Sequence, residues 1–157
     1  MTAVGEEARA VLSREILPFR WYPMTVLAEI DRAIVEGPMG GDVTQMKGFG
    51  SEIARYDLPT LYKMLFRLGT PAFVVKRLNI AYATYIHGGG VRIEVPRAGH
   101  AEVRLHDAVL PKYLCTHGIS GWITAALELS GAQAVHVAES TCLHDGAETC
   151  QWSASWT

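Results

Sequence analysis

No stretch of this sequence approaches the roughly 18 consecutive apolar residues that a membrane-spanning helix requires, so no membrane span is expected. Cysteine is scarce: Cys115, Cys142 and Cys150 are the only three, all in the last third. An odd number crowded at one end argues against a disulfide framework and leaves the thiols as ligands or as small apolar residues. An excess of basic charge is lacking as well. Fourteen Lys and Arg stand against sixteen Asp and Glu, a formal net charge of −2, and no basic stripe offers a footprint for direct nucleic-acid binding. The first residues do not have the basic-then-apolar layout of a secretory leader. Instead Glu6, Glu7, Arg9, Arg14 and Glu15 alternate with small apolar groups at helical spacing over 3–15. A cytoplasmic protein is expected. Catalytic signatures are missing too: there is no Gly-x-Ser-x-Gly elbow, no His-Glu-x-x-His and no phosphate loop. Cys115 and His117 lie two residues apart, which points them in different directions on a helix. The chain is expected not to be an enzyme.

What is present is an ordinary globular composition. The 157 residues are 49% hydrophobic and 19% charged, enough for one domain, 1–157, with a full core. Helical spacing dominates the first half. Pro23 suits a first helical turn, and Met24, Leu27, Ile30 and Ile34 follow at three- and four-residue steps as far as Gly37-Pro38. Asp42 caps a helix over 42–57 in which Gly48 and Gly50 let another helix approach closely. Leu58-Pro59 restarts the chain, and Leu61, Tyr62, Leu65, Phe66 and Leu68 form an apolar face that ends at Gly69. Thr70-Pro71 then opens a long helix to about His87.

The pattern changes at Gly88-Gly89-Gly90, read here as a turn because it follows a helix and precedes a strand, the reverse of a phosphate-binding order. Val91, Ile93 and Val95 alternate with Arg92 and Glu94, and Val103 and Leu105 alternate with polar neighbours, which makes a hairpin. A helix from about Pro111 to Leu129 and a second hairpin complete the chain. The expected fold is α+β, with N-terminal helices packed on a four-stranded antiparallel sheet in the order αααα-ββ-α-ββ.

Strand parity in the second hairpin places Val135, Val137 and Glu139 on the buried face, and Cys150, Trp152, Ala154 and Trp156 on one face of the next strand. With a three-residue turn at Asp145-Gly146-Ala147, Cys142 stands directly opposite Cys150. A carboxylate carried inward costs several kcal/mol unless a cation or hydrogen bonds meet it. Zinc on two thiolates would be such a cation, and Cys115 could complete a tetrahedral set with Glu139, Cys142 and Cys150. The competing reading makes Cys115 a core residue and Cys142 and Cys150 reduced cross-strand neighbours; in that case the turn amides over Cys142–Gly146 would meet Glu139. Among the aromatics, Phe73, Tyr82, Tyr85, Trp122 and Trp152 are candidates to line an apolar binding site, with plain core packing as the alternative.

The run Gly118-Ile119-Ser120-Gly121-Trp122, the helix-ending Gly131 and the series Glu139-x2-Cys142-x3-Gly146-x3-Cys150-x-Trp152 resemble the vinyl-four-reductase (V4R) type of small-molecule-binding domain. Its relatives include the sensor domains of phenol-responsive activators, the haem-nitric-oxide domains and the TRAPP vesicle-tethering subunits. Upstream, Leu61-Tyr62-Lys63-Met64-Leu65 and Gly69-Thr70-Pro71-Ala72-Phe73-Val74 are similar to myxobacterial paralogues of unknown function. The resemblance implies structural zinc on Cys115, Glu139, Cys142 and Cys150, and a ligand pocket between the helices and the sheet. Haem is not expected, because the Tyr-x-Ser-x-Arg clamp of the haem-binding relatives is absent and no histidine sits within a strongly apolar helix. Two functions follow as expectations. One is a sensory domain that binds a small apolar or aromatic molecule and signals through protein contacts; the other is a TRAPP-like adaptor with a filled core. A homodimer through the helices at 23–36 and 42–57, with Trp21, Tyr22, Met39 and Phe49, is also expected.

Overall fold

A computed structural model describes residues 4–17, 20–61, 69–107 and 110–157. The segments α1 (Glu6–Leu12), α2 (Met24–Glu36), α3 (Met46–Leu61), α4 (Pro71–Val75) and α5 (Leu78–Tyr85) come first. They are followed by β1 (Gly90–Arg97), β2 (His100–His106), α6 (Ile119–Leu129), β3 (His136–Thr141) and β4 (Cys150–Ser155). The architecture is α+β, with a four-stranded antiparallel sheet in the order β1-β2-β4-β3. The helical face expected over Tyr62–Leu68 lies outside the described residues.

Five helical segments precede the first strand among the described residues, where the expected order has four. The long helix expected over 70–87 is in fact two. Thr70 caps α4, its side chain accepting from the Phe73 amide, and Pro71 fills the first turn. At the other end Arg77 leaves helical geometry (φ −111°, ψ 8°), donates from Nη1 to the Phe73 carbonyl and lays its guanidinium 3.5 Å from the Phe73 ring centre. That side chain satisfies a carbonyl the helix would otherwise leave open, so the helix ends there. A second difference is that α3 does not stop at Leu58-Pro59 but runs on through Pro59 to Leu61.

Two glycines set the contact of α3 with α6. A β-carbon on Gly50 would lie 2.0 Å from the Gly118 carbonyl oxygen, and one on Gly121 would lie 1.8 Å from that of Lys47. Backbone meets backbone at both points, and Ser51 Oγ ties the pair by donating to the Gly121 carbonyl at 2.9 Å. Gly48, expected to share this role, has open space about it. Beneath α6 the inner face of the sheet is filled. Val103 pairs with Trp152, Leu105 with Cys150 and Ala101 with Ala154, all buried, and Ile123, Ala126 and Leu127 join them in one core.

Candidate metal centre and ligand cavity

A wide π-helical turn, Leu114–Gly118, leads into α6 and carries Cys115. Such turns are rare and recur at functional sites. Here the turn has two sides: Leu114 and Gly118 line a cavity, while Cys115, 1% exposed, reaches the sheet. There its Sγ lies 2.9 Å from Cys150 Sγ and 4.0 Å from Cys142 Sγ, with Cys142 and Cys150 3.7 Å apart. All three thiols are free.

Glu139 completes the group. One donor atom from each of Cys115, Glu139, Cys142 and Cys150 lies within 4.8 Å of every other. The backbone device that achieves this is a bulge: Glu139 pairs with Trp152 and Thr141 with Gln151, so one extra residue sits between them. Without it, residues 139 and 142 would face opposite sides of the strand. The three-residue turn expected at Asp145-Gly146-Ala147 is replaced by a longer loop, while the register of Thr141 with Gln151 runs on toward Cys142 and Cys150, whose sulfurs lie 3.7 Å apart. Cys142 lies beyond the ladder, at the start of the short turn Leu143–Asp145, and the bulge rotates it inward.

Burial disfavours negative charge on the members of the group. Burial, reinforced by the neighbouring sulfurs, holds the Cys115 thiol well above the usual range and pushes Cys142 up to about 11. Burial also pushes the Glu139 carboxyl up to about 7. Glu139 Oε1 is buried without a hydrogen-bond partner. Three of the turn amides offered as its alternative partners are engaged elsewhere: Leu143 N–H donates to Cys150 Sγ, while those of Asp145 and Gly146 go to carbonyls within the turn. A tetrahedral zinc–thiolate site with bonds of about 2.3 Å sets its sulfurs about 3.8 Å apart, which two of the three separations approach. The donor set and the orphaned oxygen both fit a metal ion. His144 stands aside, hydrogen-bonded through Nε2 to the Leu110 carbonyl.

The cavity measures about 270 Å³ and lies among helices. Leu27 and Asp31 of α2, Phe49, Gly50 and Ile53 of α3, Leu78, Tyr82 and Tyr85 of α5, Ile86, Ile119 and Trp122 wall it together with the π-helical turn. No described strand residue does so, whereas the resemblance implies a pocket between the helices and the sheet; Trp152 and its neighbours pack over the inner face of the sheet. Of the five aromatic candidates, Tyr82, Tyr85 and Trp122 line the cavity. Phe73 is 37% exposed under Arg77, and Trp152 is 1% exposed in the sheet core. Sequence reasoning passed over Asp31, which is 1% exposed with Oδ2 unpartnered, its carboxyl pushed up to about 6 by burial. A signal for it exists: Asp31 falls four residues after Leu27 and four before the buried Val35, which places a carboxylate on the apolar face of α2.

No protein-family model and no curated protein match this sequence. Solved structures do match in fold. An H-NOX protein from S. oneidensis in the Fe(II)NO ligation state has a TM-score of 0.72 at 12% identity, over 92% of this chain and 81% of that one. A mutant of T. tengcongensis H-NOX has a TM-score of 0.69 at 14% identity, over 98% and 86%. A trafficking protein particle complex subunit 3 from Naegleria fowleri, covalently bound to palmitic acid, has a TM-score of 0.58 at 13% identity, over 84% and 93%. The H-NOX neighbours lend no support to the expectation against haem. At these identities the likeness is one of fold, and the chain has the fold common to H-NOX domains and this TRAPP subunit.

Proposed function

We propose that this chain is a non-enzymatic sensory or regulatory domain that takes up a small apolar or aromatic molecule among α2, α3, α5 and α6. Occupancy passes to a protein partner through a shift in helix packing. The observation that carries this reading is the apolar cavity of about 270 Å³, near the lower end of ligand pockets, roughly 300–1,000 Å³. The fold context agrees, since the S. oneidensis protein is an Fe(II)NO complex and the Naegleria subunit carries palmitic acid. The alternative, a TRAPP-like adaptor with a filled core, draws on the likeness to that subunit but leaves the cavity without a role. None of the three cysteines lines the cavity, so a covalent acyl chain there has no thiol to hold it.

Cys115, Glu139, Cys142 and Cys150 would hold a structural zinc ion, which supplies a fixed positive charge at the junction of α6 with the second hairpin. Haem fits the cavity less well. Its described lining contains no His, Cys or Met to ligate iron, and the Tyr82 hydroxyl already donates to the Gly88 carbonyl. The expected homodimer through the helices at 23–36 and 42–57 belongs to the same proposal: of the residues named for it, Trp21 is half exposed and available to a second copy, while Phe49 lines the cavity.

The test is a thermal-shift screen of the purified chain against small aromatic and aliphatic molecules. A compound present at about 100 times its dissociation constant should stabilise the fold by about 2.7 kcal/mol. A chain that no compound stabilises is the filled-core adaptor.

A further inference from the structure

Asp31 gives the proposed cavity a chemical preference. The side chain is 1% exposed and lines the cavity, and its Oδ2 has no hydrogen-bond partner. Among the described residues no Lys, Arg or His forms an ion pair with it. The wall around it is apolar, built from Leu27, Phe49, Ile53, Ile119 and Trp122. The hydroxyl of Tyr82, another lining residue, donates to the Gly88 carbonyl.

A buried carboxylate with neither donor nor counter-charge is unfavourable, and a carboxylate can only accept hydrogen bonds. The missing partner therefore brings N–H or O–H donors into the cavity. An ammonium group supplies both donors and the opposite charge, and charge-assisted hydrogen bonds are about twice as strong as neutral ones. A hydroxyl supplies one donor and no charge. We propose that the ligand of this cavity is a small apolar or aromatic amine whose protonated nitrogen docks on the Asp31 carboxylate while its apolar body fills the space against Trp122 and Phe49. This rests on the reading of the cavity as a ligand site. Burial raises the carboxyl only to about 6, so it remains mainly ionised at neutral pH, as the ion pair requires.

The test compares three probes of matched body, phenethylamine, phenethyl alcohol and ethylbenzene, by calorimetric titration of the full chain and of Asp31→Asn. The wild type should bind the amine roughly tenfold or more tightly than the other two, and Asp31→Asn should lose that preference while keeping its affinity for ethylbenzene. Equal affinities for all three in the wild type, or a preference for the alcohol, would overturn the amine assignment and leave the cavity reading standing. If no probe binds, the amine assignment fails together with that reading. The wild-type series decides the matter even where Asp31→Asn folds poorly.

Discussion

Replacing Asp31 by Asn should change how the stability of the unliganded protein depends on pH. The folded-state carboxyl is pushed up to about 6 from an ordinary value of 3.8 by burial. A raised carboxyl pKa means that the unfolded chain releases its proton first. The stability this group contributes is present below the unfolded value and is lost as pH rises through the folded one. Complete loss corresponds to about 3 kcal/mol, and the part lost between about pH 4.5 and about pH 8 is about 2 kcal/mol. Urea unfolding of both proteins at these two pH values isolates the effect, because all other titrations cancel in the difference. The stability of Asp31→Asn minus that of the wild type should therefore increase by about 2 kcal/mol from the lower pH to the higher. A difference that stays constant across the range would mean that Asp31 titrates as an exposed carboxyl, and the buried, unpartnered side chain on which the argument depends would be wrong.

Other outcomes follow from the same geometry. Gly121→Ala and Gly50→Ala place a methyl group against backbone carbonyls and should each cost about 1–3 kcal/mol or more in chemical denaturation, whereas Gly48→Ala, in open space, should gain about 0.5–1 kcal/mol. Protein purified without chelator or metal-affinity tag should contain about one zinc per chain by elemental analysis; Cys142→Ser should lose both the metal and much of the stability, while a metal-free protein would lose only about 1 kcal/mol. Light scattering at micromolar concentration should give the mass of a dimer, and Trp21→Lys should shift it to that of a monomer.

Much of the fold was legible because its signals are local. Alternation marked both hairpins, and the glycines of Gly88-Gly89 and Gly146 take the positive φ that their turns need. Parity also placed Val137 and Glu139 on one face, and the structure pairs them with Ala154 and Trp152 of β4. What stayed hidden depends on contacts between distant segments. The bulge that brings Cys142 inward has no sequence signature of its own, since it lies where the second hairpin meets the π-helical turn, a segment more than twenty residues away in the chain. Gly48 and Gly50 look alike in sequence, yet only Gly50 meets the backbone of another element. Asp31 was overlooked because a single acid in an amphipathic helix ordinarily faces water. Only the arrangement of α3, α5 and α6 around it makes the site an apolar one. The ligand-binding candidates were chosen by residue type, and type alone could not separate Trp122, beside the cavity, from Trp152, consumed by the sheet core.

The most direct test of a ligand-binding cavity is to fill it. Ile53 lines the space from α3, and Ile53→Trp would occupy much of it without touching the cysteine cluster. For any molecule that stabilises the wild type by about 2–3 kcal/mol in thermal unfolding, the account predicts that the filled variant, folded and cooperative on its own, shows no stabilisation at the same concentration. Equal stabilisation of the two proteins would place the binding elsewhere and contradict it.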